Sequence, residues 1–287
     1  PGNERFAHYL ANKLHIEEGA LIIRRFPDGE SYVRINSMVK NKVAILFCTL
    51  NNPDQKILFL MFTAQTLKEL GAKKIILVAP YLPYMRQDKR FKPGEAITSQ
   101  LFATFLSNWV DYLITIDPHL HRIHCLSNIY SIPVVTLHAK KEIAQWIKAN
   151  IKSPFLIGPD SESEQWVSEI AEQIKAPYIV CHKNRLSDHE VKIDIPSFSG
   201  ANQTLILMDD IISTGSSMIA ILKQLSLQGH KGICLAIHAL FNKTTKDQLF
   251  AAGAIALITC NTISDHTNKI DTMDLIATNL EKIMGDI

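Results

Sequence analysis

The chain has 287 residues, a formal net charge of +2 and 47% hydrophobic residues, which excludes a disordered chain and suits one large or two ordinary domains. The near-neutral charge gives no electrostatic reason to expect nucleic-acid or membrane-surface binding, and no apolar run reaches the roughly 18 residues of a membrane span. Twelve glycines fall short of the about 20 that an average usage of about 7% would give, so loops that let backbone approach a ligand should be few.

In chain order, short β-branched runs predict strands at 20–24, 43–47, 74–79, 112–116 and 133–136. A second series follows at 155–157, 178–181, 204–208, 232–238 and 255–259. Most are continuous apolar runs, as strands buried on both faces of a parallel sheet require. Between them, apolar residues recur at helical spacing over 53–70, 97–109, 139–150, 162–174, 216–228 and 244–252, with a last helix at 272–284. Strand–helix alternation predicts right-handed crossovers and an α/β fold. About ten strands with a polar junction near 136–141 divide into two domains, 1–138 and 139–271, and the last helix is free to pack on either half. Cys48, Cys125, Cys181, Cys234 and Cys260 are scattered without a C-x-x-C. They read as reduced thiols, and with no signal-peptide core in the first residues a cytoplasmic location is expected.

Ligands of such sheets bind beyond the carboxyl ends of the strands. No G-x-x-x-x-G-K-[ST], G-x-G-x-x-G, G-x-S-x-G or H-E-x-x-H occurs there or elsewhere. His119, His121 and His124 lack the local cysteine partners of a closed zinc site, leaving one of them as a candidate for a phosphate-bound cation. The most informative segment is Leu205 to Ser217: an apolar strand, two acids (Asp209, Asp210), the turn Ser213-Thr214-Gly215, then a helix opening with Ser216 and Ser217. Backbone N–H groups at a helix N-terminus with flanking hydroxyls make an anion cradle. Carboxylates beside it can accept hydrogen bonds from sugar hydroxyls. The combination points to a ribose phosphate, with an ordinary capped helix as the competing explanation.

That segment resembles the phosphoribosyl diphosphate (PRPP) loop of type I phosphoribosyltransferases and of ribose-phosphate diphosphokinases, the PRPP synthetases. Phe26-Pro27-Asp28-Gly29-Glu30, Pro83-Tyr84-Met85-Arg86-Gln87-Asp88, Asp117-Pro118-His119, Gly158-Pro159-Asp160 and Lys183-Asn184-Arg185 resemble the other synthetase motifs, in family order. The resemblance is closest to the compact, archaeal-like branch. It implies two tandem phosphoribosyltransferase-like domains, each a mainly parallel sheet flanked by helices. It further implies Mg²⁺-dependent transfer of the β,γ-diphosphate of ATP to the 1-hydroxyl of ribose 5-phosphate. Phe26, Asp28, Gly29, Glu30, Arg86, Gln87 and His119 would bind ATP. His119 and Asp160 would meet the metal. Lys183 and Arg185 would be catalytic. Asp209, Asp210, Ser213, Thr214, Gly215, Ser216 and Ser217 would hold ribose 5-phosphate. The family's nucleotide loop comes from a neighbouring subunit, so a homodimer or larger homo-oligomer is expected.

The sequence departs from the family at Glu162 and Ser163, where glycines usually follow the S-P-D segment, and at Ser216, where a positive φ is expected and Ser would be strained. These departures raise the alternative of a catalytically weak, nucleotide-binding paralogue, whereas the retained Lys183 and Arg185 favour an active enzyme.

Overall fold

The computed structural model describes residues 2–185, 191–197 and 202–286. The chain forms two compact units, 1–137 with 273–287, and 138–272.

In unit 1, helix α1 (Glu4–Lys13) is followed by β1 (Leu21–Arg25) and β2 (Ser31–Ile35). Then come β3 (Val43–Phe47), α2 (Ile57–Glu69), β4 (Lys74–Val78), α3 (Thr98–Ser107), β5 (Tyr112–Ile116) and β6 (Val134–Leu137). Strands β3-β4-β5-β6 form a four-stranded parallel sheet in sequence order. Ile75 and Leu77 of β4 and Leu113 of β5 are fully buried, and pack with Leu60, Phe102 and Leu106 from the helices. The expected first strand does not join this sheet. It pairs antiparallel with β2 in a separate hairpin, Leu21 opposite Ile35 and Arg25 opposite Ser31. The turn at 26–30 reverses the chain, with Gly29 supplying φ +94°.

Unit 2 contains α4 (Lys140–Asn150), β7 (Pro154–Gly158), α5 (Glu164–Ile174), β8 (Tyr178–Val180), β9 (His182–Arg185) and β10 (Val191–Asp194). It continues through β11 (Thr204–Ile212), α6 (Ser216–Leu227), β12 (Gly232–Ala239), α7 (Lys243–Ala252), β13 (Ala254–Cys260) and β14 (Asn268–Ile270). Its sheet is parallel, six-stranded, in the order β14-β13-β12-β11-β7-β8. Every residue of β12 is buried, the signature of a central strand covered on both faces. Strands β9 and β10 form a separate antiparallel ribbon.

The last helix, α8 (Met273–Gly285), belongs to unit 1, where Asp274 accepts from the Tyr9 hydroxyl at 2.7 Å and pairs with Lys13 at 2.8 Å. Helix α1 and strands β2, β9, β10 and β14 go beyond the elements expected from periodicity. They are short, and their apolar residues are interrupted by charged or polar ones, as in Ser31-Tyr32-Val33-Arg34-Ile35. Among the described residues, no helix is long and apolar enough to cross a membrane.

Candidate functional site

In unit 1 the hairpin tip holds Phe26, Asp28, Gly29 and Glu30 exposed. The turn closes by Phe26 N–H donating to the Glu30 carbonyl (2.8 Å) and Gly29 N–H to the Phe26 carbonyl (2.9 Å). The Asp28 carboxylate accepts from Glu30 N–H at 3.2 Å, an Asx turn that fixes the tip locally. Phe26, 38% exposed, meets Tyr32 edge-on, and the Arg24 guanidinium lies 4.6 Å from the Phe26 ring centroid. One ring of the tip is thus already held by a cation while remaining open to solvent.

The 83–88 segment leaves the carboxyl end of β4. Arg86 is exposed and Gln87 half-buried, its carbonyl accepting from Ser99 N–H at 3.3 Å. Asp88 is taken by Arg122, which donates to it from backbone N–H (3.1 Å) and guanidinium (3.0 Å). Burial pushes the Asp88 carboxyl up, but the Arg122 contacts outweigh that and hold it below the ordinary carboxylate range. His119 is half-buried in the loop after β5, two residues beyond Asp117, which takes a left-handed φ of +36°.

In unit 2 the strand carrying the acids runs further than its apolar run suggests. β11 continues to Ile212, with Asp209 opposite Ala236 of β12, so both acids sit within the strand and not beyond it. Burial pushes the Asp209 carboxyl well above the ordinary range. The charges of Asp210 and Asp160 push it further. The Asp210 N–H donates back to Asp209 Oδ1 at 3.0 Å. Asp160 itself caps the 3₁₀ turn Ser161–Ser163, accepting from Glu162 N–H at 3.2 Å.

The turn after β11 opens α6 on Gly215, the left-handed residue at φ +69°. The left-handed backbone there favours glycine, and a Cβ would also stand tight against Thr245 Cγ2, at 3.1 Å. Ser216 is the first residue of α6 and has no positive φ, which corrects the strain expected at that position. The Thr214 and Ser216 hydroxyls are hydrogen-bonded at 2.9 Å, beside half-buried Ser213 and Ser217. The other departure is also absorbed. Ser163 turns inward, is 2% exposed, and donates to the Asp160 carbonyl at 2.6 Å. Its Oγ fills the space over Gly158, within 2.4 Å of where a Cβ on that glycine would lie. Glu162 stays exposed.

Lys183 and Arg185 lie on β9, Lys183 opposite Ile193 and Arg185 opposite Val191. Their side chains lie outside the described residues. The structure therefore brings Asp160, Asp209 and Asp210 within electrostatic reach of one another in unit 2. In unit 1 the 26–30 tip is exposed, whereas the 83–88 segment is largely packed and exposes only Arg86. Among the described residues, no group of three His, Cys, Asp or Glu is arranged to hold a metal ion by itself. The donor set nevertheless suits Mg²⁺. This hard cation binds through one or two carboxylates plus substrate phosphates, and the crowded carboxylates around Asp209 would gain from a positive charge. Sequence reading assigned no role to Arg25, Asp54 or Arg122. Arg25 carries no role of its own beside the Phe26–Glu30 motif, and no local signal marks Arg122 as the partner of Asp88, 34 residues away.

Two parallel sheets flanked by helices, with an acid-bearing strand running into a hydroxyl-rich helix start, define a phosphoribosyltransferase-type protein. Residues 126–273 match the phosphoribosyl transferase domain, and residues 1–109 match the N-terminal domain of ribose phosphate pyrophosphokinase. The chain is 36% identical to ribose-phosphate pyrophosphokinase of Saccharolobus solfataricus over 87% of each chain. It is 32% identical to the enzyme of Sulfurisphaera tokodaii over 90% of this chain and 89% of that one. The phosphoribosylpyrophosphate synthetase of Mycobacterium smegmatis shares the fold, with a TM-score of 0.87 at 23% identity over 100% of this chain and 97% of that one. The chain belongs to the ribose-phosphate pyrophosphokinase family, and these two curated relatives are archaeal, in keeping with the branch that the resemblance implied.

Proposed function

We propose that the protein is a ribose-phosphate diphosphokinase in which unit 1 supplies the ATP loops and unit 2 the ribose 5-phosphate site. The observation that carries this reading is half-buried Asp209, beside half-buried Asp210 and just ahead of the Ser213–Ser217 turn. Such a pair suits a sugar diol, and the turn suits its 5-phosphate. The 1-hydroxyl oxygen of ribose 5-phosphate attacks the β-phosphorus of ATP, the bond from β-phosphorus to the α,β-bridging oxygen breaks, and AMP leaves. The hydroxyl proton is released to solvent or a nearby base.

Such a transfer needs positioning and positive charge more than a strong nucleophile. Asp209 and Asp210 accept from the ribose 2- and 3-hydroxyls and fix the 1-hydroxyl's approach. Ser213, Thr214, Gly215, Ser216 and Ser217 hold the 5-phosphate through N–H groups and hydroxyls. Lys183 and Arg185 stabilise the charge spread over the transferred diphosphate. Phe26 stacks on adenine, while Asp28, Gly29 and Glu30 read its edge and ribose. Arg86, with its planar fork, grips phosphate oxygens, and Gln87 orients the nucleotide. His119 in unit 1 and Asp160 in unit 2 are each a candidate Mg²⁺ contact of its own unit, and Mg²⁺ when bound would neutralise phosphate oxygens and align them.

The protein acts as a homo-oligomer whose 26–30 loop completes a neighbouring subunit's ATP site, a role its exposed tip suits. Five free cysteines, three of them buried, fit a reducing cytoplasm. The test is AMP release, followed chromatographically with ATP and Mg²⁺ in the presence and absence of ribose 5-phosphate. AMP is expected only when all three are present. AMP formation independent of the sugar phosphate, or none at all, would overturn the reading.

A further inference from the structure

The hairpin tip is open around Gly29: nothing lies within 4 Å of a Cβ placed there. Its orientation is set by tethers. The Arg25 guanidinium donates from Nη1 to the Gly29 carbonyl at 3.0 Å, and from Nη2 to the Gln55 carbonyl at 3.2 Å. It also lies 5.0 Å from the centroid of buried Phe59, on α2. One planar group therefore joins the tip to the 3₁₀ turn Pro53–Gln55 that precedes α2.

The second loop reaches the same turn through Tyr84. Tyr84 takes a left-handed φ of +63°. Its ring packs on Phe102 at 4.8 Å and its hydroxyl donates to the Asp54 carboxylate. Burial, with the Asp54 carboxylate, pushes the Tyr84 phenol up to about 12, so the hydroxyl stays a donor throughout the working pH range. The turn is itself pinned. Half-buried Lys56 donates to the Thr49 carbonyl at 2.7 Å and to Asn51 Oδ1 at 2.6 Å, and its N–H donates to the Pro53 carbonyl at 2.8 Å.

We propose that the Pro53–Gln55 turn is a common anchor that couples the 26–30 tip to the 83–88 loop, with Arg25 and Tyr84 as positioning residues. The consequence for ATP rests on the assignment of both loops to the nucleotide. Neither Arg25 nor Tyr84 needs to touch substrate. Each holds a backbone segment whose neighbouring residues do, and loosening one tether should be felt in the other loop.

Hydrogen exchange on the full-length protein tests the coupling without any ligand. Tyr84→Phe keeps the ring on Phe102 and removes only the bond to Asp54. It should speed exchange at the Phe26 and Gly29 amides by about threefold to tenfold, the scale of one modest hydrogen bond. Arg25→Lys keeps the charge, loses the two-pronged grip, and should speed exchange of the Ser99 amide that bonds Gln87. Asp54→Asn keeps an acceptor for the Tyr84 hydroxyl and should leave exchange in both loops near wild type. Faster exchange confined to each variant's own loop, or spread over the whole unit, would overturn the anchor.

Steady-state kinetics separates this from the functional assignment. In an active protein, both substitutions should raise the KM for ATP by about threefold to tenfold and leave the KM for ribose 5-phosphate within about twofold. A wild type that forms no AMP would break the assignment while the exchange result still decides the anchor. An active wild type with only local exchange effects would break the anchor and leave the assignment standing.

Discussion

In unit 2 the candidate ligand groups grow out of the sheet: Asp209 and Asp210 are residues of β11, between buried Met208 and Ile211, and the anion cradle begins three residues later. In unit 1 the candidate groups stand off the sheet, on a two-stranded hairpin and a loop held by side chain to backbone bonds from Arg25 and by Tyr84. The two regions use different physics. A group fixed by a central strand needs no further support, and its environment is set by burial and neighbouring charge. A group on an exposed tip is placed only as well as its tethers place it. The sugar-phosphate side should therefore behave as a preformed site and the nucleotide side as an adjustable one.

The largest expected effect is on charge stabilisation. Lys183→Ala should lower turnover on the order of 10²–10³-fold, the scale of losing one preorganised donor to a developing anion, with the melting temperature held. Unfolding near wild-type temperature lost together with activity would mark a structural lysine instead. Removing Mg²⁺ with a chelator should abolish AMP release and restoring it should recover the full rate. Activity that survives chelation would remove the metal from the account.

Asp209→Asn probes the rigid side with two readouts. Turnover should fall by about 10²-fold through misplacement of the sugar. Stability should move the other way. The folded-state carboxyl titrates above its unfolded value of about 3.9, so the folded state is favoured below that value and loses stability as pH rises through the raised pKa. At neutral pH the ligand-free Asn variant should melt about 2 °C or more above wild type, and this gain should vanish near pH 4. A variant that melts lower at pH 7 would contradict the desolvated, crowded carboxylate. The smallest effect belongs to the adjustable side. Phe26→Ala should raise the KM for ATP about tenfold, within the ~1–3 kcal/mol that base stacking on an aromatic ring supplies, leaving ribose 5-phosphate binding in place. An unchanged KM would put the adenine elsewhere.

Legibility in the sequence follows the same division. The buried parallel strands announced themselves because continuous runs such as Ile75-Ile76-Leu77-Val78 have few other fates. Asp209, Asp210 and the Ser213–Ser217 turn were legible because strand, turn and helix are contiguous in the chain. The hairpin was half legible: β1 was expected, but its antiparallel pairing was not, since β2 carries Ser31 and Arg34 among its apolar residues. The supports were not legible at all, because Arg25 to Gln55 and Tyr84 to Asp54 are each separated by 30 residues. Low glycine content was real but not the deficiency it suggested. Ser216 needs no left-handed backbone, and Ser163 occupies space over Gly158 by turning inward.

The most direct measurement is phosphorus NMR of the protein with Mg²⁺, ATP and ribose 5-phosphate. Both the β- and γ-phosphorus signals should leave ATP together and reappear as a diphosphate on the sugar, with one AMP formed for each. Transfer of the γ-phosphoryl group alone, with ADP as product, or ATP that binds and stays intact, would contradict the assignment of the two units to one diphosphoryl transfer.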